Sequence, residues 1–253
     1  MNFQELYSSN GWLLPALIFI SVYGGRYLVM ALAVSLVARP VADGRGWGRV
    51  HHNAPQKFDS QRHIRRELTY SFFTVLIFGM VIATLIGTGW MGSSRLYFQW
   101  DSYPAWWFGL SIVVMLLLHD TFFYWTHRVM HWRKLFAVMH KVHHQSVHPT
   151  AFAAYSFHPT EALAEALIVT AIIFILPIHP LAFLVFQTLS TAYNVYGHCG
   201  REFYPRSMAS HRWGRWINTS TAHAAHHGKG RYNYGLYFLF WDRLMGTVDP
   251  QYK

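Results

Sequence analysis

The sequence predicts an all-α integral membrane protein, with about three long spans, a helical hairpin and a histidine-rich helical cap. Three observations lead to this fold class. The 253-residue chain is 53% hydrophobic and only 13% charged. Its apolar residues fall in long runs. Its 17 histidines are concentrated in a few short clusters. No long low-complexity linker divides the chain, so we expect a single membrane domain over residues 1–253.

Three apolar runs predict the spans in chain order. Residues 13–37 are interrupted only by small residues, two serines and Arg26. Residues 70–90 and 105–118 contain no charged residue. A helix needs roughly 20 residues to cross the hydrocarbon of a bilayer, and each run reaches or nearly reaches that length. The first run has no basic segment before it, so we interpret it as a span rather than a cleaved signal.

Two shorter apolar runs predict the hairpin. Residues 162–176 and 181–195 flank the sequence PIHP at 177–180. Prolines end one helix and begin the next, so the two runs are expected to pack side by side. Together with the three long runs they give five crossings.

The basic residues indicate the orientation of the chain. The formal net charge is +10, and 21 residues are Lys or Arg. All but Arg26 and Arg95 lie in residues 39–66, 128–141 and 201–253. Five crossings from an external N-terminus place these three segments on one face, which the positive-inside rule makes the cytosolic face. A nucleic-acid-binding protein would instead need a basic groove on a soluble domain, so that class is excluded.

Three histidine clusters predict a metal site in the cap. HRVMH holds His127 and His131, while HKVHH and HAAHH repeat one H-x-x-H-H pattern. Chance gives one such triplet in roughly one chain of this composition in thirteen. On a helix, residues three and four apart share a face. Several such faces can surround one or two metal ions, and imidazole suits iron, zinc, copper and nickel.

Clustered histidines have a second interpretation besides metal binding. Histidine runs also serve as pH sensors at surfaces. Eight imidazoles in one pocket near a bilayer would be costly without a metal, so we favour metal binding. Spacing alone does not assign His158 and His198. His119, late in the third span, is interpreted as a core histidine, and His179 lies in the hairpin turn at the opposite face.

Buried carboxylates are candidates for orienting the ligands. Asp120 precedes His127 by seven residues and shares its helical stripe. Glu161 and Glu165 follow His158 at one-turn intervals. A carboxylate within the membrane suggests a function, here accepting a hydrogen bond from a ligand imidazole. The alternative for Asp120 is a hydrogen bond that packs two helices.

Five stretches resemble, in this order, the fatty acid hydroxylase/sterol desaturase superfamily: HDTFFYWTHRVMH, HKVHH, FHPTE, GHCG and INTSTAHAAHHGKGRYNYGLYFLFWDRLMGT. The resemblance covers residues 119–248, the expected catalytic region. Residues 1–118 add mainly spans and a basic loop. Members of the superfamily are integral membrane non-haem di-iron oxygenases that use O2 to hydroxylate or desaturate lipids.

The resemblance implies a di-metal site of two iron ions, for which zinc is a substitute in purified protein. The implied ligands are His127, His131, His140, His143, His144, His158, His198, His223, His226 and His227. Ala224 and Ala225 stand where the family often has a bulkier or acidic residue, which leaves substrate detail open. We expect an O2-dependent enzyme that hydroxylates or desaturates a C–H bond of a fatty acyl or sterol-like lipid.

Electrons must come from outside the chain. No dinucleotide-binding fingerprint follows a strand, and a single cysteine, Cys199, excludes a disulfide framework and a cysteine-ligated iron–sulfur centre. An external reductase or small electron carrier is therefore implied, and the basic face suits an acidic one. We expect a bacterial inner membrane protein with its active site on the cytosolic side; the sequence does not specify its oligomeric state.

Two alternative functions have different requirements. A membrane metal or haem transporter would need polar residues along the spans, which the charge-free runs lack. A zinc-dependent membrane hydrolase would need fewer ligands and no O2. A lipid tail is expected among aromatic residues of the third span, unless these form an interfacial belt. These residues are Trp106, Trp107, Phe122, Phe123, Tyr124 and Trp125.

Overall fold

The computed structural model describes residues 13–38, 49–50, 60–208 and 211–252. These residues are mostly helical, which confirms the predicted all-α class. The helices are α1 (Leu13–Val37), α2 (Ser60–Gly87), α3 (Ala105–Met130), α4 (Arg133–Met139), α5 (Lys141–His144), α6 (Pro159–Ile175), α7 (Pro180–His198), α8 (Ser220–Lys229) and α9 (Phe240–Leu244). Two short strands, β1 (Arg49–Val50) and β2 (Arg201–Glu202), pair antiparallel.

Three of these helices, α1, α2 and α3, are long and apolar enough to cross a membrane. The α1 helix shows why one side faces protein and the other lipid. Its buried residues, Ala16, Tyr23, Tyr27 and Ala31, recur at spacings of seven and four and so form one stripe. Large apolar residues between them, such as Val29 at 66% exposure, face outward. An exposed apolar surface of this extent suits a lipid environment.

The hairpin predicted around PIHP is formed by α6 and α7. His179 caps α7, because its Nδ1 accepts a hydrogen bond from the backbone N–H of Leu181 at 3.2 Å. Pro180 occupies the first turn, where a missing N–H costs nothing. The predicted position of His179 in the turn is correct, and it stacks there on Trp100 with the ring centroids 4.1 Å apart.

Two apolar clusters hold the spans and the hairpin together. One joins α1, α2 and a short 3-10 turn at Ala151–Tyr155, where the rings of Tyr27 and Tyr155 stack at 4.5 Å. The Tyr27 hydroxyl also donates to the Phe152 carbonyl at 2.7 Å. The other packs Met115 of α3 against residues of α6 and α7. The five long helices are thus tied into one bundle.

One end of the bundle carries a polar cap. The cap comprises α4, α5, the segment 145–150 that follows α5, β2, α8, α9 and the loop between α8 and α9, called the 230–239 loop below. It meets the end of α1 where Arg201 donates to the Ala38 carbonyl at 2.8 Å. It meets α2 where the buried Glu67 accepts hydrogen bonds from Thr150. The last turns of α3 and α7 and the first turn of α6 all reach this end.

Candidate metal centre

Nine histidines converge at the junction between the bundle and the cap. The last turn of α3 supplies His127, and His131 directly follows that helix. The α7 helix ends at His198. The others come from the α5 and α8 segments. They form two groups, site A (His127, His131, His140, His144, His226) and site B (His143, His198, His223, His227).

Each H-x-x-H-H triplet is divided between the two sites. In α8, His226 belongs to site A, while His223 and His227 belong to site B. In α5, His143 faces site B and its neighbour His144 faces site A. Adjacent residues on a helix point about 100° apart, so a triplet that lies between two sites serves both. The two sites therefore share their supporting helices.

The ring nitrogens in site A are in contact. The Nε2 atom of His127 lies 2.9 Å from that of His140. The Nε2 atom of His226 lies 3.2 Å from that of His131 and 3.1 Å from that of His144. Five nitrogens from three segments of the chain therefore point into one small volume.

Site B repeats this arrangement with four rings. The Nε2 atom of His198 lies 3.2 Å from that of His143, 3.0 Å from that of His223 and 3.2 Å from that of His227. All four side chains are buried. Site B is the more buried of the two, because His131 and His144 of site A are only half-buried.

The opposite nitrogens of these rings show which atom carries the hydrogen. Nδ1 of His127 donates to the Tyr234 carbonyl at 2.8 Å, and Nδ1 of His226 donates to the Tyr232 carbonyl at 2.6 Å. A carbonyl can only accept, so each of these Nδ1 atoms bears the proton. In a neutral ring Nε2 is then a bare lone pair. Lone pairs facing each other at hydrogen-bond distance need a cation between them, so the residues fit metal ions.

Burial keeps the imidazoles in the neutral form that binds metals. It lowers the pKa of His144 from 6.5 to about 4 and holds the pKa of His140 and His143 well below 6.5. Repulsion from the neighbouring imidazoles lowers the last two further. Protonated imidazoles would have to lose a proton before binding a metal, and these rings do not.

Glu161 lies where a ligand-orienting carboxylate is expected. Its Oε1 accepts a hydrogen bond from Nδ1 of His140 at 2.6 Å, and both side chains are 2% exposed. This bond directs Nε2 of His140 toward site A. Glu165, one turn further along α6, is also buried, and its Oε1 has no partner among the described residues. The structure places only Glu161 of this pair against a ligand.

Asp120 takes a different part from the predicted one. Its Oδ1 accepts backbone N–H bonds from Leu236, Tyr237 and Phe238, at 3.1, 2.7 and 3.2 Å. It therefore binds the 230–239 loop rather than a ligand imidazole. The prediction differed because helical spacing puts Asp120 beneath His127 but cannot show that a distant loop fills the space between them.

Asp242 was missed by the sequence reasoning. Its two oxygens accept from the backbone N–H groups of Tyr234 and Gly235 at 2.8 and 2.9 Å. Asp120 and Asp242 together hold five consecutive N–H groups of the loop. The loop in turn presents the Tyr234 carbonyl to His127. The signal was the segment NYGLYFLFWD, where an acidic residue follows an otherwise apolar stretch.

Three other sequence expectations are resolved by position. His158 is absent from both groups, because its Nδ1 faces the Thr160 hydroxyl at 2.8 Å at the start of α6. The interpretation of His119 as a core histidine agrees with its burial and with its 2.7 Å contact to the Tyr237 hydroxyl. Trp106 and Trp107 begin α3, at the end opposite the metal ligands, so only the far end of a lipid tail would contact them.

Known proteins are similar to this chain over most of its length. The family model for fatty acid hydroxylase matches residues 112–247, which contain all nine clustered histidines. Human lathosterol oxidase is 31% identical over 195 residues, covering 76% of this chain and 63% of that protein. The chain thus spans less than two thirds of the human protein's length. No solved structure gives a significant match.

A fungal relative extends the similarity along the chain. Delta(7)-sterol 5(6)-desaturase ERG3B of Gibberella zeae is 26% identical over 257 residues, covering 97% of this chain and 75% of that protein. The family match covers more than half of the chain and coincides with the two histidine sites. This protein belongs to the fatty acid hydroxylase family.

Proposed function

We propose that this protein is an O2-dependent membrane oxygenase that hydroxylates or desaturates a C–H bond of a lipid. The observation that carries the proposal is the pair of adjacent sites A and B, which together contain nine histidines. In His127 and His226, Nδ1 donates to a backbone carbonyl, which leaves Nε2 free to bind a metal ion. Family membership supports the same reaction class. The names of the relatives make sterols the first substrates to test, with fatty acyl lipids second.

The ions we propose are two irons, one in each site. Iron supplies the redox chemistry that O2 activation requires, whereas zinc has none and would only substitute for it in purified protein. The ligand set fits this choice, because imidazole is a common ligand of iron and the site contains no thiolate. The protein itself would bind the ions through its histidines, exclude water from the site and orient the lipid.

Side chains beside the metal centre are placed where they could orient the lipid. Phe123 lies one turn before His127 on α3, with its ring centroid 5.1 Å from that of His127. His119 and Tyr237 pair beside it, deeper in the bundle. We propose that a lipid reaches the metal centre from the bundle, past Phe123, because the cap covers the centre on the side away from the bundle. Phe123 would then restrict the position of the chain to be oxidised.

Electrons are proposed to come from an external reductase or small carrier. The cap exposes Arg133, Lys134 and Lys141 on α4 and α5, next to the histidines of site A. An acidic partner would be attracted to this surface. We propose that the surface faces the cytosol, as the positive-inside distribution of the basic residues requires. The bacterial inner membrane remains a prediction.

Metal analysis tests the proposal directly. We expect iron-loaded protein to hold about two irons per chain, one for each ligand group. His226→Ala should reduce occupancy of site A, and His143→Ala should reduce occupancy of site B. The matched control is His158→Ala, which removes an imidazole outside both sites and should leave the iron content unchanged. Full iron retention by both His226→Ala and His143→Ala would defeat the assignment.

The reaction class needs a second measurement. We expect membranes containing the active protein, NADH or NADPH and a reductase to consume O2 and to form an oxidised lipid that the His226→Ala variant does not form. Mass spectrometry of the lipids under labelled O2 separates the two outcomes. Incorporated oxygen indicates hydroxylation, and loss of two hydrogens without oxygen indicates desaturation.

A further inference from the structure

An apolar cavity lies in the bundle, away from the metal sites. It has a volume of about 430 Å³ and is lined by the first half of α1, the second half of α2 and parts of α6 and α7. Its wall is apolar and includes Ile82 and Ile173. Ile18, Val22 and Leu184 also line it and are 45–55% exposed on the outer surface of the bundle, so the cavity opens sideways toward lipid.

One charged residue, a cation, lines this cavity. Arg26 lines it, thirteen residues after the start of α1 and eleven before its end. At 1.5 Å per residue, the Cα atom of Arg26 is about 20 Å from one end of the helix and about 16 Å from the other. A charged side chain at such depth is costly and marks a functional site by default.

Arg26 has no anionic partner among the described residues. Its Nε and one terminal nitrogen are buried without a hydrogen-bond partner. The guanidinium lies over the ring of Tyr23, whose centroid is 4.6 Å away, and interacts with the hydroxyl group of Tyr155. Both are neutral. Gln187 and Thr170 add uncharged polar groups to the cavity. The cavity thus combines an apolar wall with one uncompensated positive charge.

The cavity is separated from the metal sites by aromatic rings. Tyr155 stacks on Tyr23 at 5.5 Å, and its hydroxyl is in contact with that of Thr191 at 2.8 Å. Phe157 follows, with its ring 5.2 Å from that of His143 in site B. Along α7, Gln187 lies eleven residues before His198, or about 16 Å. A molecule in the cavity is therefore not at the reacting position.

We propose that this cavity is a second lipid-binding site, which takes a single-chain lipid carrying a carboxylate, such as a long-chain fatty acid. The carboxylate pairs with the Arg26 guanidinium, and the hydrocarbon chain lies along the apolar wall toward the lateral opening. One guanidinium matches the single charge of a carboxylate better than a phosphate monoester, which carries up to two. The site goes beyond the proposed oxygenase function and does not depend on it.

Binding of radiolabelled palmitate to the purified full-length chain in detergent tests this site. Hexadecanol, with the same chain length and no charge, is the matched ligand. We expect palmitate to bind the natural protein roughly thirty-fold more tightly than hexadecanol, since loss of one member of a buried charge pair has about this effect. Arg26→Gln should remove the preference, and Arg26→Lys should keep most of it.

Further variants locate the binding. Val22→Trp changes an exposed rim residue and should block both ligands, while His158→Ala, outside both metal sites and outside the cavity wall, should leave palmitate binding unchanged. Equal affinity of the natural protein for palmitate and hexadecanol overturns the proposal without requiring any variant. Unchanged palmitate binding by Arg26→Gln or by Val22→Trp also overturns it. Tighter binding of lysophosphatidate than of palmitate overturns the carboxylate assignment. Iron content, measured on the same variants, reports separately on the proposed oxygenase.

Discussion

Three ligand imidazoles of site A are oriented by the hydrogen bond that the second ring nitrogen makes. His127 and His226 donate to backbone carbonyls, and His140 donates to the Glu161 carboxylate. These contacts fix the tautomer and the orientation of the ring, and a charged acceptor also makes the imidazole a stronger ligand. His140 therefore differs chemically from the other ligands of site A, although its spacing in the sequence is the same.

Glu161→Gln tests this difference at the residue scale. The substitution keeps the size of the side chain and removes its charge. We expect the metal affinity of site A to fall about tenfold, at the low end of the range for such partners, with site B unaffected. Competition with a calibrated chelator measures the two affinities.

Glu165→Gln is the matched control for Glu161→Gln. It changes the same residue type on the same buried face of α6, and the structure places no ligand imidazole against it. It should leave both affinities unchanged. An equal loss of affinity in the two variants would show that Glu161 acts only through the packing of α6.

The element that positions site A is the 230–239 loop. The carboxylates of Asp120 and Asp242 hold its N–H groups, and its carbonyls hold His127 and His226. The loop also has very little free space at Gly235. A Cβ atom there would lie 2.0 Å from the Phe238 carbonyl oxygen, which is part of the backbone and cannot move aside easily.

Gly235→Ala is predicted to distort this loop. We expect a loss of about 2 kcal/mol or more in stability, typical of overpacking a tight site, together with weaker metal binding at site A. The thermal unfolding midpoint and the metal content are the measurements. Gly228→Ala in α8 is the control, since its new methyl group would meet open space. A Gly235→Ala protein that retains both the midpoint and the metal would contradict the role given to the loop.

Across the whole molecule, the metal ligands are also a source of instability when no metal is bound. Burial lowers the pKa of His131 to about 2 and that of His144 to about 4, whereas an exposed imidazole has a pKa near 6.5. Below pH 6.5 the unfolded chain therefore takes up protons that the native state excludes. Native stability must fall as the pH falls, and these groups have no effect well above pH 6.5.

We expect chelator-treated, metal-free protein to lose about 1.4 kcal/mol per pH unit for each such imidazole as the pH falls from 6.5. Thermal unfolding in detergent between pH 7.5 and 5.5 measures the effect. His144→Gln removes one titrating group and should show a shallower dependence on pH. A midpoint that is constant or rises on acidification would contradict the assignment of neutral buried imidazoles.

The sequence by itself determined the class of the protein. In lipid, a long apolar run can satisfy its backbone hydrogen bonds within itself only by forming a helix. Composition and length therefore predicted the three spans and the hairpin. The histidine triplets were readable because local helical spacing sets which side chains share a face. Both constraints act between residues that are close in the sequence, so the sequence pattern shows them directly.

Only the tertiary structure decided how those residues are distributed. The division of each triplet between sites A and B, the exclusion of His158 and the binding of Asp120 to a loop 116 residues away depend on contacts between distant segments. The same is true of the Arg26 cavity, which four helices form together. Spacing gives the direction of a side chain on its own helix. The partner it meets depends on how the helices pack, and the packing is a property of the whole bundle.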